Sequence, residues 1–178
     1  MINTIAHFDL DIFFVACERL IEPKLNNNPI LIGGVKNRGV VASCSYEARR
    51  YGIHSAMPMF LARQLCPEAI VLRGNTSNYS KYSKLITDVV RDSVPLFEKP
   101  SIDEFYLDLS GVDNFKGCLK LTSELKLKIL KEVGLPISFG VSENKTVSKV
   151  ATGEAKPNGQ LRIEKGEEKP FLSPLSIK

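Results

Sequence analysis

The sequence predicts an α+β protein: a mainly antiparallel sheet with helices packed on one face, plus a small inserted α/β segment. Three observations lead there. The apolar periodicity changes repeatedly between two and 3.6, giving strand, helix, insertion, helix, hairpin, helix, strand, helix, strand. Carboxylates stand at predicted strand ends, at Asp9 and at the adjacent Asp103 and Glu104. They imply an open sheet face, because a fully covered sheet does not tolerate unpaired charge. Residues 13–74 carry short strands and helices of their own and read as the insertion, capping one side of the acidic face.

Composition sets the limits. The chain has 178 residues, 43% hydrophobic and 25% charged, which suits one domain or two small ones with a real core. No apolar run approaches the roughly 20 residues that span a bilayer, and the first residues do not read as a signal peptide. No membrane partner and a cytoplasmic location are therefore expected. Cys17, Cys44, Cys66 and Cys118 are widely spaced and pair with neither His7 nor His54 in a zinc pattern, so they read as reduced thiols. The net charge of +4 permits a polyanionic partner without demanding one.

Ile2 to Asp9 predicts a strand with Ile5, His7 and Asp9 on one face and Ala6 and Phe8 on the other. His7 reads as structural. Asp11 is expected to open the next helix as its cap. That helix, about 12–21, buries Phe13, Ala16, Cys17 and Leu20, while Phe14 lies about 100° off the stripe. Pro23 ends it. Ile30–Ile32 and Val40–Ser43 read as strands joined by a glycine-rich loop with Lys36 and Arg38. A short helix over 45–52 puts Tyr46 on one face with Arg49 and Arg50. That grouping suits a phosphate, though taken alone it is better explained as a stacked Tyr–Arg pair on a solvated face. A further short helix begins at Pro58, and a strand covers 69–72.

Residues 77–94 predict an amphipathic helix with Tyr82, Leu85, Ile86 and Val89 inward, and 97–109 a hairpin with Asp103-Glu104 at its mouth. Alone, an Asp-Glu pair is better explained by a solvated turn. With Asp9 it makes three carboxylates at strand ends, the donors two hard divalent cations require. A helix over 115–133 and a strand over 136–141 follow. The helix 143–155 buries Val147, Val150 and Ala151 and lines up Lys145, Lys149 and Lys156 within about 40°. It leads into the turn Lys156-Pro157-Asn158-Gly159, then a strand over 160–163. Residues 166–178 read as an exit linker without a core of its own.

Four stretches then combine: Phe8-Asp9-Leu10-Asp11 with Phe13-Phe14, Ser45-Tyr46-Glu47-Ala48-Arg49, Ser101-Ile102-Asp103-Glu104, and Ala155-Lys156-Pro157-Asn158-Gly159. In this order they resemble the Y-family translesion DNA polymerases, most of all the DNA polymerase IV (DinB) branch. The resemblance implies a palm over 1–12 and 75–165, fingers over 13–74, and a thumb and little finger beyond the last residue, as in a truncated chain. It implies two Mg2+ ions held by the catalytic carboxylates Asp9, Asp103 and Glu104 with the Leu10 carbonyl. It implies nucleotide contacts at Ser43, Tyr46, Arg49 and Lys156, a steric gate at Phe14, and a loose base-pair pocket over Val40 and Ala42. Ile12 departs from the aromatic common at that position. The implied partners are primer-template DNA and deoxynucleoside triphosphates, with a sliding clamp reached through the missing portion. The expected reaction is template-directed nucleotidyl transfer. Its rivals are a non-catalytic palm module that binds nucleic acid or protein, and a nucleotide cyclase, which gives no reason for Phe14 or the insertion.

Overall fold

A computed structural model describes residues 3–34, 39–112 and 117–176. Lys36 and Arg38 of the expected glycine-rich loop lie outside the described residues, as does the start of the helix expected from 115. The chain divides into two units, one of Met1–Asp11 with Ser83–Lys178 and one of Ile12–Tyr82.

The first unit is built on five strands in the order β5-β6-β1-β7-β8. They are β1 (Ile5–Leu10), β5 (Phe97–Glu98), β6 (Glu104–Asp108), β7 (Ile137–Ser142) and β8 (Gln160–Arg162). β1 is central and antiparallel to both β6 and β7, and only the β7–β8 pair is parallel. The alternation of β1 is realised as expected. Phe8 lies between Phe105 and Phe139 in register, and its ring stacks on Phe139 at 4.8 Å. All three rings are fully buried. Helix α5 (Cys118–Val133) packs against β7 and buries Leu125 and Ile129.

The opposite face holds Asp9, His7 and Gly140, and it is less open than the carboxylates alone suggested. Helix α6 (Lys145–Ala155) lies over β7 and β1. Gly140 permits this. A Cβ there would collide with the Ser148 carbonyl and stand 2.6 Å from the Thr152 nitrogen. Val147, Ser148, Ala151 and Thr152 form the buried side of α6, whereas Val150 is only half-buried. The tail also differs from a bare linker. Residues Glu168–Leu172 form a short helix, and Phe171 and Leu172 pack on Val147, Ala151 and Ile163.

In the second unit α1 (Phe13–Ile21) precedes a three-stranded sheet, β3-β2-β4, formed by β2 (Ile30–Gly33), β3 (Val41–Cys44) and β4 (Ile70–Leu72). Leu31, Val41, Cys44, Met59 and Ala62 make its core with α2 (Tyr46–Arg49) and α3 (Met59–Leu65). α1 buries Phe13, Val15, Ala16 and Cys17, but Leu20 is 39% exposed. The stripe stops short because the helix ends one residue later. Helix α4 (Thr76–Arg91) buries Tyr79, Ser83, Ile86, Val89 and Val90, and Leu85 is 44% exposed. Its inward stripe runs through Ser83 because that hydroxyl has a partner, described below.

Asp11 does not cap α1. The cap position is Ile12, left-handed at φ 44°, with no side-chain cap bond. The Asp11 carboxylate is buried and bonded elsewhere.

Candidate active site

Asp9 and Glu104 are direct cross-strand partners at the same end of the sheet. Asp103 precedes β6, and its carbonyl accepts from the Leu10 amide at 3.1 Å, so the two chain segments carrying the three carboxylates are tied together. Ser101 Oγ donates to Asp103 Oδ1 at 2.7 Å. The carboxylates share a sheet end without converging on one point: among the described residues no three acidic, histidine or cysteine side chains form a group that could hold a metal ion.

Lysines engage two of them. Lys156 Nζ donates to Asp9 Oδ1 at 2.6 Å, and Lys149 Nζ donates to both oxygens of Glu104 at 2.8 Å. Lys145 bonds Glu98 in the same way. The lysine stripe is thus paired along its length with carboxylates on β1, β5 and β6. Burial pushes the Asp9 carboxyl above its usual value. Lys156 pulls it back, while the charges of Asp103 and Glu104 push the same way as burial. The hydrogen bond to Glu104 leads in raising the Lys149 ammonium.

His7 is buried beneath this group. Its Nδ1 is 2.9 Å from Thr152 Oγ1, and its Nε2 lies 3.9 Å from Glu104 Oε2 with no hydrogen bond. Burial lowers its pKa to about 4. It is therefore a neutral, structural histidine near neutral pH.

The loop before Glu104 is stapled from behind by residues that periodicity alone did not single out. Ser83 Oγ donates to the Ile102 carbonyl at 2.5 Å. Lys99 Nζ donates to Ser83 Oγ at 2.6 Å and to Thr87 Oγ1 at 2.7 Å, and rests 5.3 Å from the Phe105 ring centre. The one available signal was a serine on the inward stripe of α4.

In the second unit, Phe14 stacks on Tyr79 with ring centres 4.5 Å apart. The Tyr79 hydroxyl donates to Glu18 Oε1 at 2.6 Å. Tyr79, 65 residues from Phe14, was not among the expected site residues; only the fold brings it there. The Arg49 guanidinium sits 5.1 Å from the Tyr46 ring centre, a stacked cation and phenol. Ser45 caps α2, accepting from the Ala48 amide at 3.2 Å, and fixes where Tyr46 begins. Val40 and Ala42 are exposed and Ser43 half-buried.

Asp9, Asp103 and Glu104 are hard oxygen donors of the type a divalent cation takes, but in this arrangement ammonium groups stand on Asp9 and Glu104 in place of a cation.

Comparison with known proteins places the chain in a family. The profile of the impB/mucB/samB family (IMS) matches residues 8–153. A DNA polymerase IV of Dehalococcoides mccartyi (strain CBDB1) is 42% identical over 178 residues, covering 99% of this chain and 46% of its own. One of Treponema denticola is 40% identical over 173 residues, covering 97% of this chain and 44% of its own. The chain spans about half the length of the curated relatives it matches. Among solved structures, DinB from Sulfolobus solfataricus is 30% identical at a TM-score of 0.87, over 95% of this chain and 50% of its own. An insertion ternary complex of Dbh DNA polymerase aligns at a TM-score of 0.88 and 30% identity, over 98% and 52%. The match over most of the chain carries the assignment: this protein belongs to the impB/mucB/samB family, the Y-family group whose motifs its sequence resembles.

Proposed function

We propose that the chain is the palm and fingers portion of a template-directed DNA polymerase of the translesion type. The observation that carries the reading is the pairing of Asp9 with Glu104 across β1 and β6, with Asp103 tied to Leu10 beside them. The names and titles of the relatives, DNA polymerase IV and Dbh DNA polymerase, support it. In this reading the palm covers 1–12 and 75–165, the fingers 13–74, and the partners are primer-template DNA and deoxynucleoside triphosphates. A sliding clamp would be engaged by regions outside this chain, in the cytoplasm.

Asp9, Asp103, Glu104 and the Leu10 carbonyl would hold two Mg2+ ions. Bound there, the ions would supply Lewis acidity toward the primer 3′-hydroxyl and charge balance for the triphosphate. Lys156 would neutralise charge on the phosphates as pyrophosphate departs, the role the resemblance also gives to Ser43, Tyr46 and Arg49. Phe14 excludes a ribose 2′-hydroxyl, and Val40 and Ala42 leave the nascent base pair loosely confined. No side-chain nucleophile is required.

The test is primer extension by the chain joined to a C-terminal region like that of its longer relatives. Template-directed addition is expected, and Asp103→Ala should lower it by at least about a hundredfold. Full activity in that variant would sink the metal assignment. Metal-independent DNA binding without addition would favour the non-catalytic module.

A further inference from the structure

We propose that Asp11 is a positioning residue: with Ser138 it clamps the turn after α6 onto the end of β1 and so fixes Lys156 at Asp9. The Asp11 carboxylate is only 1% exposed. Its Oδ2 accepts from the Asn158 amide at 2.6 Å, and its two oxygens lie 3.0 and 3.1 Å from Ser138 Oγ, which donates to it. The same Ser138 oxygen accepts from the Gly159 amide at 3.1 Å. A carboxylate is costly to bury unless its lone pairs are filled, and here one backbone amide and one hydroxyl reach it, while a second amide holds the hydroxyl.

Chain spacing makes this more than local packing. Asp9 and Asp11 are two residues apart, and so are Lys156 and Asn158. Asp9 receives the Lys156 ammonium and Asp11 receives the Asn158 amide. Ser138 is the cross-strand partner of Asp9 on β7, which places the hydroxyl directly behind the site. Lys156 is the C-cap of α6, with extended backbone, so its direction is set by the turn that follows it and not by the helix. That turn is held on its far side by Lys126, whose Nζ donates to the Asn158 carbonyl. Gly159 allows it to close, since a Cβ there would collide with the Ala155 carbonyl. The Asp11 carboxyl is the buried group at which these bonds meet.

In the polymerase reading, on which this consequence rests, the clamp holds the Lys156 backbone while its ammonium passes from Asp9 to a phosphate; the clamp itself is tested without nucleotide or metal. Amine acetylation of the intact chain, read site by site by mass spectrometry, compares Lys156 with Lys149, which is on the same helix and paired with Glu104. Asp11→Ala and Ser138→Ala are expected to raise Lys156 labelling severalfold relative to Lys149. Asp11→Asn, which keeps one acceptor for the Asn158 amide, should restore most of the protection. If Asp11→Ala exposes all lysines together, Ser138→Ala decides, because it removes a single hydroxyl. An unchanged Lys156-to-Lys149 ratio in Ser138→Ala overturns the clamp. Failure of the polymerase reading shows elsewhere, as extension that survives Asp103→Ala.

Discussion

Phe14 does not stand alone. Its ring lies against Tyr79, whose hydroxyl is anchored on Glu18, so the angle of the aromatic is set by a neighbour at the start of α4. On the polymerase reading, replacing Phe14 with Ala in the chain extended as proposed should raise ribonucleotide incorporation by roughly tenfold or more, the scale on which a shape-selective pocket discriminates. Tyr79→Phe keeps the ring and should leave sugar selection nearly unchanged, whereas Tyr79→Ala should relax it part of the way. Primer extension with matched ribo- and deoxynucleotides measures both. At the acidic end, the same scale shows why residue type alone misleads. Lys149 and Lys156 look like a solvated stripe until their partners are known, and Asp11 looks like a helix cap. Both assignments turn on which group the fold brings within 3 Å, and local spacing does not contain that.

Ser45 does three things: it caps α2, accepts from the Ile30 amide at 3.0 Å, and donates to the Asn28 carbonyl at 3.3 Å. Ser45→Ala should cost about 1 to 2 kcal/mol in denaturant unfolding, more than a bare cap because a buried amide is left unpaired. Gly140→Ala should cost about 1 to 3 kcal/mol, since α6 has no room to retreat from β7. α1 and α2 are joined by Arg19, whose guanidinium donates to Glu47 Oε2 at 2.8 Å. Burial acts to raise the Glu47 carboxyl, but the bonds from Arg19, its own backbone and Ser45 outweigh it and hold it below the ordinary glutamate value of 4.5. A depressed carboxyl contributes stability above its unfolded pKa and loses it as the proton goes on. The stability gap between the native chain and Glu47→Gln should therefore be full above pH 4.5 and shrink as pH falls below it. Urea midpoints of both across that window check the sign. Strand and helix placement followed from periodicity closely. Leu20 and Leu85 missed because a helical wheel finds an apolar stripe without telling how far the covering layer extends.

For the whole molecule, the four cysteines give a global readout. None is in a disulfide and all are buried, and burial, with the Glu18 charge adding to it, pushes the Cys17 thiol to about 12. A thiol reagent at pH 8 should leave the native chain unmodified and titrate all four only after denaturant is added. Reaction of Cys17 in native buffer would contradict its packing.

The sequence by itself determined the α+β class, the order of elements, the three carboxylates and, through four motifs in fixed order, the family. These are properties of period, residue type and succession, and all are written locally along the chain. Only the tertiary structure decided that α6 covers part of the acidic face, that its lysines pair with Asp9 and Glu104, that Tyr79 backs Phe14 and that Asp11 grips the Lys156 turn. Those depend on approach between segments up to 147 residues apart. The approach is set by a missing Cβ at Gly140 and by the need of buried polar groups to find partners, and neither has a periodic signature.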